Sequence, residues 1–172
     1  MAARAFAALD AAGIATIGPR GLLFDAAAAR NAIAGIDPAS IAGTLLLQVT
    51  FTDASMTVEI ACAFPGAKLG IWAFPEPRAG GRLRLNSFCG LNLASHALGR
   101  AGRDFGWLYA APDPPRIGGD LADLLETVKR YSIVMRSTSP SPSSRRPCRN
   151  ASTVWAEVIG EPFVVVPFGV IA

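Results

Sequence analysis

The chain has 172 residues, enough for one domain with a real core on the soft prior of about 100 to 200 residues per domain. Hydrophobic residues make up 51% and charged residues 17%, against about 25% charged in typical domains, so wholesale disorder is excluded. The net charge of +3 arises from 16 basic against 13 acidic residues, and a weak excess carried mostly by arginine does not point to nucleic acid.

Alanine-rich helical stretches alternate with short β-branched or aromatic runs, the pattern of βα units around a parallel sheet covered on both faces. Ala2 to Ala12 reads as a helix stopped at Gly13, with a short strand expected at Ile14–Ile17 or Gly21–Phe24. Asp25 is placed to cap a helix from Ala26 to Ile33. Thr44–Val49 is an apolar strand, and Thr52 or Asp53 stands where the cap of a helix Ala54–Ala63 belongs. Lys68–Phe74 is the next strand, with Trp72 and Phe74 alternating onto one buried face. The loop Pro75–Leu85 leads to a helix from about Phe88 to Arg100 that ends at Gly99 or Gly102. Phe105–Ala110 is a further strand, and Asp120 is expected to cap a helix Leu121–Arg130 whose Leu121, Leu124, Leu125 and Val128 share a face. Leu45, Leu47, Ile71, Leu108 and Leu125 are the expected core.

Three segments result: an α/β domain over 1–130, a Ser, Pro and Arg-rich linker or disordered stretch over 131–152, and an irregular apolar tail over 153–172. Pro162 and Pro167 make a central place in a sheet awkward for that tail, so an edge strand is expected at most, with few core contacts. A Ser, Pro and Arg tract before a proline-broken apolar end also fits an out-of-frame reading of GC-rich coding sequence from near Ser132; the ordinary alternative is a genuine linker and terminal hairpin.

Cys62, Cys89 and Cys148 are far apart and odd in number, which favours a reducing, cytoplasmic setting over a disulfide framework. Apolar runs are broken well before the roughly 18 residues of a membrane span, and the first dozen residues lack a secretory pattern. Asn150-Ala151-Ser152 matches a glycosylation acceptor by chance in such a setting.

In an open α/β sheet, ligands sit outside the carboxyl ends of the strands, where loop side chains meet the N–H groups of helix starts. Three loops qualify: Thr50–Ser55, Phe74–Cys89 and Ala111–Asp120. The middle one carries Glu76, Arg78, Arg82, Arg84, Asn86 and Ser87, a set suited to the hydroxyls or carboxylates of a small polar ligand. Asp53 serves as a cap with a secondary chance of touching ligand, and the spacing between it and Glu59 puts those carboxylates on different helix faces. His96, the one histidine, shares a helix face with Asn92. Cys89 at a helix start invites a reactive-thiol reading, but with no base nearby in sequence the expectation is a small packed side chain.

The run Thr50-Phe51-Thr52-Asp53-Ala54, then Ile71-Trp72-Ala73-Phe74-Pro75-Glu76-Pro77-Arg78, then Gly81-Arg82-Leu83-Arg84-Leu85-Asn86-Ser87-Phe88-Cys89-Gly90-Leu91-Asn92-Leu93 resembles the amino-terminal part of L-fucose isomerase-like proteins. The resemblance covers roughly Gly43 to Arg130. It implies a flavodoxin-like or Rossmann-like amino-terminal domain of an aldose–ketose isomerase, with an active site between domains and subunits. Such enzymes move hydrogen between adjacent carbons of an open-chain sugar, a divalent metal such as manganese polarising the oxygens while a carboxylate handles the proton. In the resembled family the metal ligands lie in later domains, so no cofactor is expected in this chain. The reading that follows is an amino-terminal fragment or remnant with sugar contacts at Asp53, Glu76, Arg78, Arg82, Asn86, Asn92 and His96 and an interface for a homo-oligomer or for downstream domains, without membrane or nucleic-acid partners. The alternative is a non-catalytic flavodoxin-like module that uses the same loops for a small ligand or a partner.

Overall fold

The computed structural model describes residues 1–78, 80–113, 117–124 and 163–169. Leu125, Val128, the 131–152 tract and residues 153–162 of the tail lie outside them. Helix α1 (Ala2–Ala11) precedes a two-residue strand β1 (Thr16–Ile17), and α2 (Ala26–Ile33) leads through a 3-10 turn (Pro38–Ser40) into β2 (Gly43–Gln48). Then follow α3 (Ser55–Ala63), β3 (Lys68–Ala73), α4 (Ser87–Ala101), β4 (Gly106–Tyr109), a helical segment over 117–124, and β5 (Phe163–Phe168).

The five strands form one parallel sheet in the order β1-β5-β2-β3-β4. Side chains alternate along each strand between two cores. Leu46, Ile71, Ala73, Val164, Val166 and Phe168 meet Ile33 of α2, Met56 and Ile60 of α3, and Leu91, Ala94 and Leu98 of α4. On the other face Leu45, Leu47, Trp72, Phe74 and Val165 meet Phe6 and Leu9 of α1 and Ile117, Leu121 and Leu124 of the 117–124 helix. The result is the expected three-layer α/β architecture. Burial on both faces explains why Thr44-Leu45-Leu46-Leu47 reads as a continuous apolar run rather than as an alternating one.

Local signals act as expected at several element ends. Asp25 accepts the N–H of Ala28 at 2.7 Å, the side-chain cap of α2, and α4 closes on Gly102 in the left-handed region at φ 66°. Of the expected core, Leu45, Leu47 and Ile71 are buried, whereas Leu108 is only partly buried because β4 is the outermost strand. Two boundaries differ. Helix α3 starts at Ser55 with Ala54 at the cap position, so neither Thr52 nor Asp53 is the capping residue proper. Asp53 nevertheless accepts the Ser55 N–H at 2.8 Å from one residue upstream. The last helix is already formed at residue 117, where Ile117 is anchored in the core, so Asp120 stands within it rather than at its cap.

The largest departure concerns the tail. Residues 163–168 are not an edge strand: β5 lies between β1 and β2, and Val164, Val165, Val166 and Phe168 are fully buried. The proline argument fails for a geometric reason. In a parallel strand successive peptide groups face opposite neighbours. Phe163 donates to Ala15 on the β1 side and Phe168 accepts from Val49 on the β2 side, so position 167 faces the β1 side. By that point β1 has ended at Ile17, and the Pro167 carbonyl takes the N–H of Leu23 instead. The missing N–H of Pro167 therefore breaks no ladder bond.

Deleting everything after residue 162 is expected to abolish the cooperative thermal transition, because it strips β1 and one side of β2 of their partner. Near-ultraviolet circular dichroism during melting checks this, and an unchanged transition would be the contrary result. Leu45→Asp, which buries an unpaired carboxylate in the second core, is expected to cost about 3 to 5 kcal/mol, read from urea unfolding.

Candidate functional site at the carboxyl edge of the sheet

β2 and β3 are neighbours and both end at the same edge, so the loops that follow them run side by side. A backbone bond from Phe51 N–H to the Leu85 carbonyl, 2.7 Å, joins the two loops directly. Below that joint, Gln48 ends β2 with its amide fully buried, donating to the Thr50 carbonyl at 2.6 Å and to Thr52 Oγ1 at 2.9 Å. The hydroxyl of buried Ser87, first residue of α4, accepts the Phe74 N–H at 3.2 Å and donates to the Phe74 carbonyl. Both groups lock a loop back onto the strand it leaves.

Glu76 is the organiser of the longer loop. Its carboxylate accepts three consecutive backbone N–H groups: Arg84 at 2.9 Å, Leu85 at 3.1 Å and Asn86 at 2.6 Å. These bonds, with the Arg84 donor foremost and the Arg84 charge adding to them, hold its pKa below the ordinary glutamate value. The intervening segment turns at Gly80 and Gly81, φ 78° and 80°, which residues with a Cβ adopt only under strain. Asn86 is the one non-glycine residue with positive φ among the described residues, at 49°, and it caps α4 without a side-chain bond. Strain of that kind persists where the surroundings enforce it, here the Glu76 bond on one side and the Ser87 bonds on the other.

The predicted site residues divide into two groups. Asp53, Glu76, Arg78, Arg82 and Asn86 all lie on the two joined loops. Asp53 is committed to Ser55, whose hydroxyl donates at 2.5 Å and whose N–H donates at 2.8 Å, and the hydroxyl contact foremost lowers its pKa. Arg78 and Arg82 are exposed on the loop. Asn92 and His96 are exposed along α4, which runs away from this edge. At 1.5 Å per residue His96 stands about 13 Å along the axis from Ser87, so the structure does not gather it with the loop. Glu59 pairs with Arg30 at 2.5 Å rather than with Asp53. Cys89 is exposed, contrary to the packed role expected of it, because it falls on the outer side of the first turn of α4.

Sequence reasoning missed Gln48 and Gly90. A Cβ on Gly90 would lie 2.5 Å from Gln48 Nε2 and 2.8 Å from its Cδ, so the glycine lets α4 settle onto the end of β2. The signal available was a lone amide closing an apolar strand. Among the described residues no three His, Cys, Asp or Glu side chains gather as a divalent ion requires, and the two carboxylates at this edge already accept hydrogen bonds from the protein. These residues do not fit a manganese site.

The model of the fucose/sulfoquinovose isomerase N-terminal domain matches residues 3–134. The chain belongs to this family. The sulfoquinovose isomerase of Alkalicoccus urumqiensis is 36% identical over 85 residues, 48% of this chain and 19% of that protein. The sulfoquinovose isomerase of Priestia aryabhattai is 39% identical over 71 residues, 41% of this chain and 16% of that protein. The matched stretch thus spans less than a fifth of either relative. No solved structure matches. The family match reaches further toward the amino terminus than the motif resemblance, taking in α1, β1 and α2.

Two measurements test this architecture. Glu76→Gln is expected to melt below the parent at neutral pH and to speed hydrogen exchange at Arg84, Leu85 and Asn86. Because folding lowers the Glu76 pKa, its contribution is complete above the unfolded value of about 4.3 and vanishes as pH falls through the folded value, so the two proteins should converge in acid. Gly90→Ala is expected to cost about 1 to 3 kcal/mol by overpacking against buried Gln48, read from denaturant midpoints.

Proposed function

We propose that the domain supplies sugar-contacting loops to an aldose–ketose isomerase whose metal-binding and proton-moving groups lie in the remainder of a longer protein. The observation that carries this reading is the pair of joined loops at the carboxyl ends of β2 and β3, braced by Glu76, Ser87 and Gln48 at the edge where α/β sheets take ligands. Family membership supports the isomerase class, the family description supports a sugar of the fucose or sulfoquinovose kind, and the names of the relatives point to sulfoquinovose. Among the described residues no three His, Cys, Asp or Glu side chains gather as a metal ion requires.

The outer edge of β4 supports an interface role. Trp107 is 60% exposed there, beside Tyr109, whose ring meets exposed Phe88 edge-on at 5.2 Å. The rest of such an isomerase, or a second copy, would cover that patch. A cytoplasmic setting accords with the exposed thiol of Cys89, and no described helix is long and apolar enough to cross a membrane.

With manganese and L-fucose, D-arabinose or sulfoquinovose, the chain alone is expected to yield no ketose, measured by chromatography of the sugar products. Ketose formation would overturn the division of labour. Amide shifts on titrating sugar should centre on Asp53, Glu76 and Asn86; shifts centred on Arg4 or Arg30 would displace the site from this edge.

A further inference from the structure

β4 is the outermost strand, and the parity of its hydrogen bonds fixes which backbone groups it leaves open. Ala110 N–H donates to the Ala73 carbonyl at the end of β3, 3.2 Å away. Alternate residues of a parallel strand turn both backbone groups to the same side, so Leu108 also faces β3 while Trp107 and Tyr109 present their N–H and carbonyl groups outward. Among the described residues no strand pairs with that outer edge. Native edges are commonly guarded by charge, proline or a bulge. Gly106-Trp107-Leu108-Tyr109 carries neither charge nor proline.

This pattern is its own complement. With a second copy laid antiparallel about a two-fold axis at Leu108, Trp107 comes opposite Tyr109 of the second copy and Tyr109 opposite its Trp107, and each pair can exchange two N–H···O bonds. The Trp107 and Tyr109 side chains stand on the α4 face of the sheet, where Phe88 already meets Tyr109, so the aromatic rings of both copies gather there as cross-strand pairs. The two Leu108 side chains meet on the other face. Aromatic side chains bury about 150 to 250 Å² each, so with Trp107 60%, Phe88 48% and Tyr109 37% exposed, one copy offers on the order of 300 Å² of ring surface. That is under half of the roughly 800 Å² per partner of a standard interface, which makes the contact weak and reversible even with the strand pairing added.

We propose that β4 pairs antiparallel with β4 of a second copy, joining the two five-stranded sheets into one continuous sheet across a two-fold axis at Leu108. The inference rests on the interface role proposed above, narrows its occupant to a second copy, and does not depend on sugar binding.

Sedimentation velocity of the full chain should show a monomer–dimer equilibrium with a midpoint on the order of 100 µM, and amide exchange at Trp107 and Tyr109 should slow as concentration rises. Trp107→Lys, at an exposed position, should melt like the parent and weaken the dimer at least about tenfold. Phe24→Lys, exposed near the opposite edge of the sheet, should leave it unchanged. Leu108→Cys, in a chain whose three cysteines are replaced by serine, should oxidise to a disulfide-linked dimer, since residues opposed in a non-hydrogen-bonded pair stand about 4.5 Å apart between Cα atoms. A monomer at every concentration would overturn the inference and leave the patch to the rest of a longer isomerase. A dimer untouched by Trp107→Lys would place the contact elsewhere and overturn it too, and a Trp107-dependent dimer without the cross-link at 108 would overturn the register.

Discussion

The slot between β1 and β2 is the constraint on which the rest of the molecule depends. A parallel sheet covered on both faces needs a strand there that is apolar on both sides and bonded on both edges. β5 meets that demand with Val164, Val165, Val166 and Phe168. Among the described residues β5 is the strand that pairs with β1, so β1 enters the sheet's hydrogen bonding through residues from the far end of the chain. Pairing between such distant segments closes a long loop before any contact rewards it, and folding should be correspondingly slow.

The same strand reaches toward the candidate site. Val49 N–H donates to Phe168 at 3.0 Å, fixing the end of β2 from which the Thr50–Ser55 loop departs. From there Gln48 holds Thr50 and Thr52, Phe51 holds Leu85, and Glu76 holds the turn into α4. The polar edge is thus a continuation of the sheet's hydrogen bonding into side chains. Its precision depends on the rigidity of the strands beneath it, as binding loops on a scaffold require.

Features fixed by neighbours in sequence were legible in advance. The Asp25 cap, the glycine stop of α4, and the strands around Leu45 and Ile71 follow from local pattern and turn chemistry. The position of β5 did not, because the harm done by a proline depends on which neighbour its nitrogen faces, and the early end of β1 cannot be read from residues 162–168. The Pro75–Leu85 loop, singled out for its polar content, does follow β3 at the carboxyl edge of the sheet, but residue type alone could not show that Glu76 and Ser87 brace the backbone. His96 was singled out for its chemistry, whereas its distance along α4 is a matter of helix geometry. Gln48 was overlooked since its role appears only when α4 packs through Gly90.

Glu76 shows how far chemistry can be argued from such bracing. A carboxylate that moves a proton between sugar carbons needs basicity near the working pH and a lone pair free to point at the substrate. Glu76 has neither: its two oxygens accept from three N–H groups, and those bonds depress its pKa. Protonating it would sacrifice the bonds that hold the strained Asn86 at the entry to α4. Asp53 is bound to Ser55 by the same logic. Both carboxylates on the two joined loops serve as acceptors for the protein's own N–H and hydroxyl groups.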